Sequence, residues 1–257
     1  MTDPYFLNII VPAFNEELNI SETIRTIHEI QSRVNLPRKL IVVNDNSTDR
    51  TREIVKNLQE KYDNLVLINR RGNHGLGRCL NRAYEEVEGG VIVAVMADLA
   101  DNVNDIPKML DKIKDGYDLV SASRYITNGS GEHEDRFKHF LSRLLGKTLQ
   151  IMIGLPTNDA TNAYKLYRAS ILDEIGILRS DNYTTGLELT VKAYLSGFKI
   201  AEVPTVWNDR AEGKSHFKIF KVAPEYIRWF FWAVWNRLKM SMTSRRPSGA
   251  MAGRQER

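Results

Sequence analysis

Carboxylates at the ends of short apolar runs mark where this 257-residue chain could do chemistry. The segments LNIIVPAFNE (7–16), LIVVNDNSTD (40–49) and VIVAVMADLAD (91–101) each pass from a strand-like run into a polar turn. An open parallel sheet binds ligands at such carboxyl ends, where strand order reverses. Asp45 can accept the ring N–H of a uracil or a guanine in a charge-assisted hydrogen bond. A turn or capping role is the plainer alternative. Pro12, Phe14 and Glu16 set a flat ring and a second carboxylate on the neighbouring edge. Asp98 and Asp101 end the third run in the manner that holds a hard divalent cation, which prefers oxygen ligands and bridges phosphates. Capping of the following helix is the other reading, and it suits Asp101 or Asn104 better than Asp98.

Cations supply the complementary half. Arg124 ends a run in S-A-S-R-Y, where a guanidinium can grip a phosphate by two bonds. Arg143 shares the polar side of a helix with Lys138 and Lys147, and Arg210, Lys214 and Lys218 flank G-K-S. A solvated surface charge is the ordinary reading of any one of these. The glycine-rich stretch GNHGLGRC (72–79) is neither G-x-G-x-x-G nor a phosphate loop, which argues against a dinucleotide dehydrogenase and a P-loop kinase. It lets the backbone pass close to a ligand at a helix start, or simply turns.

The elements that must position these groups alternate. Strands are expected at 7–12, 39–43, 65–69, 91–96 and 118–122, with helices at 17–35, 48–60, 76–88 and 105–114 between them. Short connections then imply a mostly parallel sheet with helices on both faces, an α/β fold. Ser47 or Thr48 is expected to cap the second helix, with Asp49 at its positive end. Beyond about residue 126 the rhythm changes. A polar loop (127–136) precedes an amphipathic helix (137–155) whose Phe137, Phe140, Leu141, Leu144 and Leu145 share one stripe. A helix at 184–196 and a strand at 199–203 follow. Segment 219–240 is aromatic, with Lys and Arg at both ends. It reads as an interfacial helix on a membrane or as a helix packed on the core or on a twin subunit in a homodimer. The basic tail (244–257) is expected to be disordered.

The single cysteine, Cys79, excludes an internal disulfide and fits a reducing compartment. No signal peptide and no run long enough to span a bilayer is evident, so a cytoplasmic, at most peripheral, protein is expected. The net charge of +4 is mild but gathers at 136–147 and from 210 onward, which points to an anionic partner there. Nucleic acid is not expected as a partner.

The joint order P-A-F-N-E, V-N-D-N-S-T-D, A-D-L-A-D, S-R-Y, D-A-T-N-A-Y-K-L-Y-R, G-L-E-L and E-V-P resembles family-2 glycosyltransferases of the GT-A fold over about residues 6–235. The branch it resembles is that of dolichyl-phosphate mannose synthases and other polyprenyl-phosphate glycosyltransferases. The resemblance implies a GT-A (Rossmann-like) catalytic domain over 1–205, with a nucleotide-sugar half to about 125 and an acceptor half over about 126–205. A donor-closing loop and amphipathic interfacial helix (206–243) would follow. It also implies inverting transfer of a hexose from a nucleotide-diphosphate sugar to a polyprenyl phosphate. By that likeness Pro12, Phe14, Glu16 and Asp45 hold nucleobase and ribose, and Asp98 binds Mg²⁺ or Mn²⁺ with the donor diphosphate. Arg124 and Arg143 grip the acceptor phosphate, Lys214 and Ser215 close over the diphosphate, and Asp159 lies near the sugar. Glu188 would serve as a base only for a hydroxyl acceptor, the rival reading; a nucleotide-sugar binder without turnover is another. Two departures stand out. Met96 replaces the usual first aspartate and Ala100 a frequent polar ligand, with Asp101 able to compensate, and Asn44 precedes Asp45 where the family usually has a second Asp.

Overall fold

Amphipathic stretches alternate with apolar runs, and the chain folds accordingly. The computed structural model describes residues 3–34, 38–126, 136–206 and 219–244. β1 (Leu7–Ala13), α1 (Ile20–Arg33), β2 (Arg38–Asp45), α2 (Thr51–Gln59), β3 (Leu65–Arg70), α3 (Leu76–Tyr84), β4 (Val91–Ala94), α4 (Ile106–Lys114) and β5 (Leu119–Ser123) form the expected alternation. A single 3-10 turn, Val103–Asp105, precedes α4. Then come α5 (Arg136–Ile153), β6 (Lys165–Arg168), α6 (Ser170–Ile175), α7 (Thr185–Leu195), β7 (Ile200–Pro204) and α8 (Ile219–Ser244).

The sheet has seven strands in the order β3-β2-β1-β4-β6-β5-β7. β1 pairs parallel with both β2 and β4, so strand order reverses beside β1. β6 alone runs antiparallel, to β4 on one side and β5 on the other, which leaves β5 pointing the same way as β4. Alternate residues of each strand enter two cores. Ile9, Leu40, Val42 and Val93 pack with α1, α2 and α4; Ile10, Ile41, Val43 and Ile92 pack with α3 and α5–α8. Burial on both faces explains why these strands read as unbroken apolar runs.

Several boundaries differ from the sequence reading for identifiable reasons. α1 starts at Ile20 because the carbonyl of Glu16 accepts the N–H groups of Asn19 and Ile20 in a turn. α2 starts at Thr51, not 48: Asp49 accepts the Thr51 N–H at 2.9 Å, while Thr48 and Ser47 bond across to Asn15. Capping by Ser47 or Thr48 is therefore corrected. β6 and α6 were not expected at all. Two cations bracket Leu166 and Tyr167, yet Lys165 is wholly buried, donating to the carbonyls of Asp159 and Asn162. No helix among the described residues is long and apolar enough to cross a membrane.

Candidate functional site

The carboxyl ends of β1, β2 and β4 lie side by side at the reversal point, and each continues into a strained turn. Among the described residues, left-handed backbone outside glycine occurs only at Asn15 (φ 55°), Asn46 (φ 60°) and Leu99 (φ 63°). Each follows one of those three strands. Such conformations cost of order 1 kcal/mol or more and persist where surrounding contacts hold them, characteristically at binding sites. The first two turns are stitched together. Asn15 N–H donates to Ser47 Oγ (3.0 Å), Thr48 N–H to Asn15 Oδ1 (2.8 Å), and Glu16 N–H to Thr51 Oγ1 (2.8 Å).

Asp45 and Asp98 thus share one sheet edge, one strand apart. Asp45 is the last residue of β2 and is buried. Arg70, at the tip of β3, reaches its Oδ1 with Nη2 at 2.5 Å and Nε at 2.6 Å, and Gly75 N–H donates to Oδ2 at 2.8 Å. His74 Nδ1 lies 2.7 Å from the Asp45 carbonyl, and its ring packs on Phe14 with centroids 3.9 Å apart. His74 therefore links the Phe14 ring to the end of β2 at Asp45. Pro12 is buried inside β1, and Glu16 is buried with Oε2 accepting from Asn19 Nδ2 at 2.9 Å. Cys79 packs beneath; burial, then the Asp45 charge, pushes its thiol up to about 12. It is a packing residue, as its place in a helix suggested.

Asp98 accepts the Ala100 N–H at 3.2 Å, which fixes the turn at Leu99. Burial raises its carboxyl above the usual range, and its charge in turn acts on the phenol of Tyr183. Asp101 is buried and accepts the Met96 N–H at 2.8 Å. Burial, with the Asp98 charge adding to it, pushes Asp101 up to about 7. Among the described residues no group of three or more His, Cys, Asp or Glu side chains could cage a metal ion. Two neighbouring carboxylates, both raised chiefly by burial, nevertheless fit a cation of the Mg²⁺ type. Such an ion needs only one or two protein carboxylates when substrate phosphates and water complete its shell.

Arg124 follows β5 at the same edge. Asp159, wholly buried in the loop before β6, takes Nε at 2.7 Å and Nη2 at 3.0 Å. Burial would raise the Asp159 carboxyl, but the Arg124 guanidinium beside it, helped by Lys165, holds it below the usual range. Asp159 also accepts from Thr161 and from the Asn162 N–H. Asp159, expected to lie near the sugar, has its oxygens engaged in orienting Arg124. Glu202 cradles the same loop, accepting from Thr157 Oγ1 at 2.6 Å and Asn158 Nδ2 at 2.7 Å. Glu188, the candidate base for a hydroxyl acceptor, is engaged in a network of its own. Wholly buried in α7, it accepts the N–H groups of Arg179 (2.8 Å) and Ser180 (2.7 Å) and pairs with Lys192 at 2.5 Å. It anchors a loop.

That loop matters to the site. Gly77 N–H donates to the Asp181 carbonyl at 2.9 Å, so the glycine-rich 72–79 stretch is docked on 180–181. Arg143 stands exposed on α5. Arg210, Lys214 and Ser215, with most of the proposed closing loop and the basic tail from 245 onward, lie outside the described residues. Arg70, His74, Lys165 and Glu202 are site groups that the sequence reading missed. Arg70 carried the signal that singled out Arg124, an arginine at a strand's end.

Comparison with known proteins places the chain in a family. The model of glycosyl transferase family 2 matches residues 8–176, and the chain belongs to that family. It is 30% identical over 226 residues to a dolichol-phosphate mannosyltransferase of Pyrococcus furiosus, covering 86% of this chain and 62% of that protein. The chain thus spans less than two thirds of that relative's length. It is 27% identical over 238 residues to the polyprenol monophosphomannose synthase of Mycolicibacterium smegmatis, covering 86% of each. In fold it is similar to glucosyl-3-phosphoglycerate synthase from Mycobacterium tuberculosis, solved with Mn²⁺, UDP and phosphoglyceric acid. The TM-score is 0.69 at 16% identity, over 90% of this chain and 78% of that one.

Proposed function

We propose that this glycosyltransferase moves a hexose, with inversion, from a nucleotide-diphosphate sugar to a polyprenyl phosphate at a membrane surface. The observation that carries the reading is that Asp45, with the Phe14–His74 ring pair beside it, and the Asp98–Asp101 carboxylates stand at one sheet edge on either side of β1. The names of the two curated relatives support the lipid-phosphate acceptor.

Asp45, with Arg70 behind it, receives the base, Phe14 packs on it, and Glu16 takes the ribose. Asp98 and Asp101 would hold Mg²⁺ or Mn²⁺, which would supply charge neutralisation for the departing diphosphate. Arg124, set by Asp159, meets the acceptor phosphate, with Arg143 at the rim and Lys214 and Ser215 closing over the donor. An acceptor phosphate oxygen attacks the anomeric carbon from the face opposite the diphosphate. A phosphate monoester has a second pKa of about 6, so it is already largely the dianion at neutral pH and needs no base. That accords with Glu188 being spent on a loop. α8 supports the membrane contact. Val222, Trp229 and Ala233 are buried, while Ile227, Phe231, Trp235 and Leu238 form an exposed apolar stripe.

A screen of radiolabelled sugar nucleotides with detergent-dispersed polyprenyl phosphate tests the reading, with Mg²⁺, Mn²⁺ or EDTA present. A lipid-linked sugar is expected from at least one donor, lost with EDTA and in Asp98→Asn. No labelled lipid from any donor would overturn it.

A further inference from the structure

We infer that a second lipid site, separate from the sugar-transfer cleft, binds the headgroup of an anionic bilayer phospholipid between α8 and the α6–α7 segments. A groove of about 980 Å³ lies there, and none of Asp45, Asp98, Asp101 or Arg124 lines it. Arg179, Lys192 and Lys239 face it against one acid, Glu174. Arg179 has no carboxylate partner among the described residues, whereas Lys192 is paired with Glu188. The remaining walls are of another kind: Trp232, Ile177 and Met240 offer apolar surface.

Cations beside aromatic and aliphatic surface match a ligand with an anionic head and a hydrocarbon body. A free phosphate would leave the apolar wall uncovered. A choline headgroup would set a cation among cations. The groove is also continuous with the exposed stripe of α8, because Lys239 Nζ lies 5.5 Å from the centroid of the Trp235 ring on that stripe. A lipid in the adjoining leaflet can therefore enter it sideways. The chain's own tail is an ill-suited occupant, since SRRPSGAMAGRQER carries four arginines and one acid. The site also reaches the transfer machinery. Trp229, in the groove, donates from Nε1 to Ser180 Oγ at 2.7 Å, and Ser180 lies under Gly77. The binding readout does not require the polyprenyl-phosphate reading, which places its acceptor at Arg124; only the acceptor KM comparison rests on it.

The test uses the full chain and dihexanoyl phosphatidylglycerol as a soluble probe, with dihexanoyl phosphatidylcholine and inorganic phosphate as comparisons. Tryptophan emission reports binding, since Trp229 and Trp232 line the groove. Saturable binding of the phosphatidylglycerol alone is expected, weakened at least tenfold in Arg179→Glu/Lys239→Glu. Asn236→Phe, which fills the groove without altering charge, should do the same and guards against misfolding of the charge-reversed variant. Both variants should keep the acceptor KM within twofold in detergent. Equal binding of the choline lipid or of inorganic phosphate would overturn the inference, as would undiminished binding in both variants. So would a parallel rise in acceptor KM, which would make the groove part of the transfer cleft.

Discussion

Arg70 and Asp45 close on each other across the tips of β3 and β2, guanidinium to carboxylate at 2.5 Å, with both side chains nearly buried. Removing one partner leaves the other's charge stranded, typically at about 3–5 kcal/mol. Arg70→Met should therefore lower the melting temperature and raise the donor KM at least tenfold, with a smaller change in kcat. Adding Asp45→Asn to it should restore much of the stability and none of the donor affinity. Recovery of both would show that Asp45 does not touch the donor.

Glu188→Gln separates anchor from base. A catalytic base lost from a rigid site lowers turnover by about 10²–10⁴ and leaves stability alone. Here the carboxylate holds the N–H groups of Arg179 and Ser180 and the Lys192 ammonium. The expected outcome is a clear fall in melting temperature with kcat of the folded enzyme reduced less than tenfold.

Lys165 gives a signed pH dependence. Burial, against the pull of Asp159, lowers its ammonium to about 8. The unfolded chain keeps its proton up to about pH 10.4, so between these limits the unfolded state binds more protons. The folding cost of burying this charge is present below pH 8 and relieved as pH rises above it. Urea unfolding of wild type and Lys165→Met, compared at pH 7.5 and 9.5, should show the wild type gaining roughly 2 kcal/mol on the variant at the higher pH. A pH-independent difference would mean that Lys165 titrates normally.

Gly77 tests how tightly the glycine-rich stretch is docked. A Cβ there would stand 1.8 Å from the Ser180 carbonyl oxygen, a backbone atom, and 2.6 Å from Thr185 Cγ2. Gly77→Ala should cost at least about 3 kcal/mol, the upper range for overpacking, and weaken donor binding through Gly75 and Asp45. Differential scanning fluorimetry with and without nucleotide diphosphate measures both.

The sheet and the acids at its strand ends were legible because apolar runs ending in Asn and Asp leave few alternatives. Two-sided burial makes β1, β2 and β4 read as strands, and the polar residues after them fall at one edge by parallelism alone. Side-chain partnerships were less legible. Nothing local tells that Asp159 is committed to Arg124, or Glu188 to the 179–180 backbone, because each partner arrives from another element. β6 was missed since four residues with a charge at each end carry no period, and the burial of Lys165 depends on carbonyls that only the folded loop supplies. The exposure of Phe140, Leu141 and Leu144 on α5 was equally hidden. An apolar stripe states that something covers it, not what.

The reversed direction of β6 has a geometric dividend. In a wholly parallel sheet only strand exits reach the ligand-facing rim, and every added exit needs a crossover of a dozen residues or more. Here a strand's entrance reaches the same rim. The segment 157–164 can therefore slot between the exits of β4 and β5 and clamp Arg124 from the flank, so one inverted strand widens the rim on the β5 side.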